Sequence, residues 1–213
     1  MFTGHRYKIL YNAINTSVYT YSFEKAVTIR EKLHVEQNLV IGHVGRFDAQ
    51  KNHTFLLDIF SECVNIVPNA RLLLVGDGEG RTQIQEKAKS LGLEEKVIFT
   101  GVRNDVADLL QAMDVFVFPS LYEGVPVTMI EAQASGLPCV ISDGVPKDCV
   151  ITSGLVTSMK LSDRPCDWAK HIAAQLNRKR ENHLEEIQAA GYDIVTAAKE
   201  LENFYLKKYG EES

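Results

Sequence analysis

Two carboxylates and two cations stand out in this chain by type and spacing. Glu123 and Glu131 lie eight positions apart in "EGVPVTMIE", with Pro126 at the first turn of the helix that this stretch suggests. At ~1.5 Å of rise per residue, Glu131 falls roughly 7 Å along the axis from Pro126, so the two acids can touch different parts of one extended ligand. Arg46 and Lys51 stand five apart in "GRFDAQKN", directly after the apolar run "LVIGHV", with Asp48 the one acid between them. A planar guanidinium fork and a mobile ammonium suit a diphosphate. Paired acids also fit glycoside hydrolysis, but a glycosidase has no use for a diphosphate-binding pair of cations. Each residue has a plainer reading too: the cations as solvated surface, Glu123 as a first-turn acid favoured by the helix dipole, Glu131 as a solvated carboxylate.

The elements around these residues read as a parallel sheet covered by helices. Short runs rich in β-branched and aromatic residues predict strands over 39–47, 71–78, 97–101, 114–120, 138–143 and 154–161. Apolar residues at helical spacing predict helices over 52–67, 81–92, 104–113, 167–179 and 193–209, with Asn104 or Asp105 capping the third and Gly92 stopping the second. Six strands suffice for a doubly wound, Rossmann-like α/β fold over residues 37–213. Residues 1–36 read as a lead-in or linker: a strand, a polar turn at Asn12 to Asn15, then a helix over 23–33. Ligands of such sheets bind at the carboxyl ends of the strands. Gly45 to Lys51, "GDGEGR", "GVRND" and "PSLYEGVP" all fall there.

Bulk properties narrow the function. Of 213 residues, 45% are hydrophobic and 24% charged, and the net charge is −5. No basic run supports nucleic-acid binding. No apolar stretch approaches a membrane span, and "MFTGHRYKIL" lacks a signal-peptide core. Four cysteines without a C-x-x-C pair suggest a reduced, cytoplasmic protein. "GDGEGR" spaces its glycines two apart, which departs from the dinucleotide fingerprint and disfavours a dehydrogenase; no Walker loop follows, and the stretch reads as a tight turn into a helix. His43 and His53 flank the cation loop and read as packed or surface histidines.

"VGRFDAQKN", "LLLVGDGEGR", "VIFTGVRNDV" and "DVFVFPSLYEGVPVTMIEAQASGLPCVIS", in this order, resemble the retaining glycosyltransferases of family 4, which have the two-domain GT-B architecture. The last stretch is similar to the family's E-x7-E region. The resemblance covers the chain but only half of the enzyme: the C-terminal, donor-binding domain and the connection leading into it. That connection reads Asn12-Ala13-Ile14-Asn15 where the family commonly has Asn-Gly-Ile-Asp. The wording is most similar to bacterial enzymes of capsular and exopolysaccharide assembly.

The resemblance implies roles. Arg46 and Lys51 would bind the pyrophosphate of a nucleotide-sugar, with UDP the expected nucleotide, and stabilise the departing diphosphate without a metal or other cofactor. On this basis they would be partnered by the ligand and not by an acid of the chain. Glu123 would contact the sugar and Glu131 the ribose hydroxyls. Gly124, Val125, Pro126, Val127 and Thr128 would bring helix N-terminal N–H groups to sugar and phosphate oxygens. Val102 and Arg103 would flank the base, and Gly45 would let the backbone approach the phosphates. The acceptor, a glycan or lipid-linked molecule, would be presented by an N-terminal domain, with the full enzyme peripheral to the membrane. The isolated domain would then be inactive, and would self-associate weakly through surface including Phe204, Tyr205 and Tyr209. Two other readings stay open: a non-enzymatic nucleotide-binding module, and a nucleotide-sugar epimerase of the same fold.

Overall fold

A computed structural model describes residues 10–152 and 154–210, with side chains as far as Lys207. In chain order the elements are α1 (Thr16–Tyr19), α2 (Phe23–Leu33), β1 (Leu39–Val44), α3 (His53–Ile66), β2 (Ala70–Val75), α4 (Arg81–Ser90), β3 (Val97–Phe99), α5 (Val106–Ala112), β4 (Val115–Phe118), α6 (Val127–Ala134), β5 (Cys139–Ser142), β6 (Val156–Met159), α7 (Pro165–Gln175), α8 (Leu184–Ala189) and α9 (Ile194–Gly210). The six strands form one parallel sheet in the order β3-β2-β1-β4-β5-β6.

Alternation along each strand builds two cores. Ile41, Leu72, Leu74, Val115 and Val117 meet α3, α4 and α7 on one face. Val40, Leu73, Val75, Phe116 and Phe118 meet α2, α5 and α6 on the other. Right-handed crossovers require this arrangement, because the chain moves outward from β1 to β3 on one face and outward from β4 to β6 on the opposite one. The reversal falls between β1 and β4. At that switch point the loops after β1 and β4 come together above the sheet and edge a crevice.

The strands are shorter than the sequence suggests. β1 ends at Val44 and β2 at Val75, because Gly45 and Gly76 turn the chain out of register into loops. Two short helices have no counterpart in the apolar pattern: α1, and α8, in which Ile187 alone is buried. Asp105 occupies the cap position of α5, but its carboxylate is bound to Arg103 and caps nothing.

The strand expected ahead of Asn12 falls mostly outside the described residues. From Leu10 onward the lead-in is tied to the rest of the chain. Ile14 N–H donates to the Tyr192 carbonyl at 2.8 Å, and Ile194 N–H returns a bond to the Ile14 carbonyl at 2.9 Å. α2 spans Phe23–Leu33, as the sequence suggests, with the Ser22 side chain accepting from Lys25 N–H at its start. Phe204, Tyr205 and Leu206 on α9 are exposed; the Tyr209 side chain lies outside the described residues.

Candidate functional site at the sheet switch point

The loop after β1 is held in shape by the glycine-rich loop after β2. Phe47 N–H donates to the Asp77 carbonyl, and Gly80 N–H donates back to the Phe47 carbonyl, both at 2.9 Å. Gly76 has φ of +136°, and a Cβ there would lie 2.1 Å from the Gly45 carbonyl oxygen. "GDGEGR" is therefore the seat on which the cation loop rests.

Within that loop Asp48 accepts from the Lys51 N–H and starts a single 3-10 turn over Ala49–Lys51. Asn52 follows in the left-handed region (φ 55°), and its side-chain amide donates to the Pro119 carbonyl at 3.1 Å. Leu121 N–H donates to the Gln50 carbonyl at 2.8 Å, and the Gln50 amide donates to Tyr122 O and Glu123 Oε2. The loops after β1 and β4 thus form one hydrogen-bonded rim.

The two cations behave differently. Lys51 Nζ lies 2.7 Å from Glu123 Oε1 and 4.8 Å from the centre of the Phe118 ring. The expectation that both cations stand without an acidic partner is corrected for Lys51. The sequence shows one acid within the loop, but the strand order brings Glu123 across from 72 residues away. Arg46 is exposed and forms no ion pair among the described residues. It edges a cavity of about 620 Å³ together with Asp48, Asn52, Gly80 and Gln83.

Glu123 leads into α6. Gly124 and Val125 are exposed and Pro126 caps the helix with φ of −73°. Pro126 has no N–H to offer, so from Gly124 to Thr128 the donors are the other four residues. N–H groups in a first helical turn have no intrahelical acceptor and attract anions. One turn further on, Glu131 Oε1 accepts from the Tyr19 hydroxyl at 2.6 Å. Burial pushes the Glu131 carboxyl above its ordinary range, and the Tyr19 bond pulls it partly back.

A second cavity, about 630 Å³, opens beside Glu131 and is lined by Val18, Tyr19, Lys25 and the stretch Asn104 to Asp108. Of the two residues expected at a base, Val102 is 81% exposed, and Arg103 forks onto the Asp105 carboxylate at 2.6 and 2.7 Å. The wall of this cavity begins one residue later, at Asn104.

His43 and His53 are packed, as the sequence suggests, beneath the cation loop. The Nδ1–H of His43 donates to the Val117 carbonyl at 2.9 Å, and the His53 ring stacks on Phe47. Burial and the nearby Lys51 cation push His53 down to about 4. Burial first, then the neighbouring His53, holds His43 well below the ordinary histidine range. Both rings are neutral at pH 7 and add no charge to the crevice.

Sequence reasoning missed Tyr19 and Gln50. Gln50 stands inside a quoted motif and could have been found as the polar side chain next to Lys51. Nothing in the sequence ties Tyr19 to Glu131.

The glycosyl transferases group 1 family matches residues 38–178, a stretch that contains every strand and both acids. The chain belongs to this family. EpsF of Bacillus subtilis (strain 168), a protein named as a glycosyltransferase, is 42% identical over 170 residues, covering 78% of this chain and 44% of that protein. An Escherichia coli protein named UDP-Gal:alpha-D-GlcNAc-diphosphoundecaprenol alpha-1,3-galactosyltransferase is 30% identical over 147 residues, 67% of this chain and 38% of its own length. The chain therefore spans less than half the length of either relative. The crystal structure of Anabaena Alr3699/HepE in complex with UDP and glucose superimposes with a TM-score of 0.79 at 24% identity, over 93% of this chain and 56% of that one. That likeness is one of fold.

Proposed function

We propose that this chain is the donor-binding, C-terminal half of a retaining family 4 glycosyltransferase of GT-B architecture. Residues 37–213 would form the donor domain and residues 1–36 the connection into it. The enzyme would transfer a sugar from a UDP-sugar to a glycan or lipid-linked acceptor in the assembly of bacterial capsular or exopolysaccharide. One observation carries the reading: Lys51 and a buried glutamate meet ahead of a helix N-terminus at the sheet's switch point, Arg46 edges a cavity on the same loop, and a second cavity of nucleoside size lies beside a second glutamate.

Arg46 and Lys51 bind the diphosphate and stabilise the charge that grows on the departing UDP. The N–H groups of Gly124, Val125, Val127 and Thr128 receive phosphate and sugar oxygens, and Gly45 admits the phosphates closely. Glu123 holds the sugar hydroxyls and keeps Lys51 oriented. Glu131 takes the ribose, with Val102 and Arg103 at the mouth of the base pocket. Charge compensation by these cations makes the step independent of metal and cofactor. The acceptor is presented by a further domain, so the chain alone binds donor without transferring sugar. The full enzyme works in the cytoplasm, peripheral to the membrane, and the donor domain by itself associates weakly through exposed residues such as Phe204 and Tyr205. The E. coli relative's name, which joins a UDP-sugar donor to a lipid-diphosphate-linked acceptor, supports both substrate classes.

The test is calorimetric titration with UDP, GDP and ADP in EDTA, alongside Arg46→Ala and Lys51→Ala. Selective binding of UDP, lost in both variants, is expected. Arg46→Ala is the cleaner variant, because an exposed side chain with no ion pair among the described residues can be removed without disturbing the fold. Full UDP affinity in that variant would refute the assignment of Arg46, and no binding of any nucleotide would refute the donor reading. Sugar transfer after pairing with an acceptor domain separates an enzyme from a nucleotide-binding module. Epimerised sugar and free UDP formed without an acceptor would identify an epimerase instead.

A further inference from the structure

Glu131, the carboxylate that the donor reading assigns to the ribose, is held from outside the sheet's own loops. Tyr19 ends α1 and donates its hydroxyl to Glu131 Oε1 at 2.6 Å, across 112 residues of sequence. Tyr19 is itself fixed on several sides. Its carbonyl accepts from the Gln111 amide at 3.3 Å, and Gln111 Oε1 accepts from Ser22 N–H at 3.0 Å. Its half-buried ring packs against the core beneath α5 and α6 and against the small cluster of Ile14, Ile130 and Tyr192. At the other end of α1, the Thr16 hydroxyl donates to Asp193 Oδ1 at 2.7 Å. The lead-in therefore presents the phenol from a rigid mount, and Val18, Tyr19 and Lys25 line one part of the cavity beside Glu131.

The chemistry of a carboxylate gives this bond a purpose. An ionised glutamate offers about four acceptor positions. Tyr19 occupies one on Oε1 and leaves the others for ligand hydroxyls. A glutamate on a helix can otherwise sample several rotamers, and binding would have to freeze them; a hydroxyl already bound to one oxygen removes that cost.

We propose that Tyr19 is a positioning residue for donor recognition: its hydroxyl fixes the Glu131 carboxylate in the orientation that receives a ribose diol, which makes the lead-in a working wall of the nucleoside pocket. This rests on the donor reading above. It differs from a purely structural role for Tyr19 in one measurable respect. A structural role affects every ligand of the pocket alike, whereas positioning of Glu131 affects ligands in proportion to the ribose hydroxyls they carry.

The experiment titrates the 213-residue chain with UDP and with 2′-deoxy-UDP, as wild type and as Tyr19→Phe, Glu131→Gln and the double variant. Wild type is expected to prefer UDP. Tyr19→Phe keeps the ring and its packing. It is expected to lose about three- to tenfold in UDP affinity, the worth of one ordinary hydrogen bond, with a change of less than about twofold for the deoxynucleotide. The double variant should lose no more than Glu131→Gln alone, since both changes break one interaction. Equal weakening of both nucleotides in Tyr19→Phe, or no weakening of either, would overturn the proposal while leaving the donor reading standing. A wild type that binds both nucleotides alike removes Glu131 from ribose recognition and the proposal with it. A wild type that binds neither overturns the donor reading itself.

Discussion

Lys51 and Glu123 meet at 2.7 Å with side chains only 16% and 5% exposed, and they join the loop after β1 to the loop after β4. Burial makes such a pair asymmetric in its effects. The attraction is offset by the desolvation of both charges, yet removing one partner strands the other in a poor solvent for charge. Lys51→Ala is therefore expected to destabilise the fold by about 3 kcal/mol, and Lys51→Ala with Glu123→Ala by less than the single change. Urea denaturation of the four proteins in this cycle measures the coupling. Additive losses would show that the two charges do not support each other.

The histidines beneath the loop set a pH dependence. The folded chain holds His53 near 4, against an ordinary value of 6.5. Between those values the unfolded chain binds a proton that the folded chain does not, so stability falls as pH falls. Acidification from pH 7 to 5 should cost about 2 kcal/mol through His53 alone, with His43 acting in the same direction. Glu131 works the opposite way, since an acid whose folded pKa is raised favours the folded state at low pH. His53→Phe keeps an aromatic ring against Phe47 and isolates the histidine contribution. Its urea midpoint should fall less steeply than that of wild type between pH 7 and 5, and parallel slopes would contradict the assignment.

Much of this was legible in the sequence because the signals are local. Unbroken apolar strands such as "RLLLV" and "VFVF" announce a parallel sheet buried on both faces, and the stripe from Phe55 to Cys63 announces its covering helix. The same reasoning placed the cation loop and the acidic loop at one edge of the sheet. What it could not supply was pairing across the switch point. Lys51 looked free because its acid lies on another strand's loop, and Tyr19 looked like linker because its partner is on α6. Strand ends were overrun for a related reason: the glycines at 45 and 76 continue an apolar run in sequence while the backbone has already turned.

Thiol chemistry gives a direct check on the packing. Cys63, Cys139 and Cys149 are buried and Cys166 is partly exposed. Burial pushes the Cys63 thiol up to about 12 and raises Cys139 and Cys149 as well. Thiolates are the reactive species, so these three should be inert in the folded protein. An aromatic disulfide reagent is expected to titrate one thiol in the native chain and all four in denaturant. Fast reaction of a second native thiol would mean that one of the two cores is more open than the structure shows.

Two glycines at the crevice should separate folding from binding. Gly76 has φ of +136° and faces the Gly45 carbonyl so closely that a Cβ would sit 2.1 Å from its oxygen. Neither the torsion nor the contact can relax cheaply, because both atoms belong to backbone that seats the cation loop. Gly76→Ala is therefore expected to destabilise the chain by about 3 kcal/mol or more. Gly124 has no atom within 4 Å of an added Cβ and no positive φ. Gly124→Ala should leave the thermal midpoint within about 2 °C of wild type, as for an exposed substitution that disturbs no packing. If phosphate and sugar oxygens approach the N–H groups at the start of α6, the new methyl group stands in their path. UDP affinity should then drop at least about tenfold in a protein of undiminished stability. Retained affinity would show that the ligand does not approach the helix along Gly124, and would shift the anion site toward Arg46 and the loop after β1.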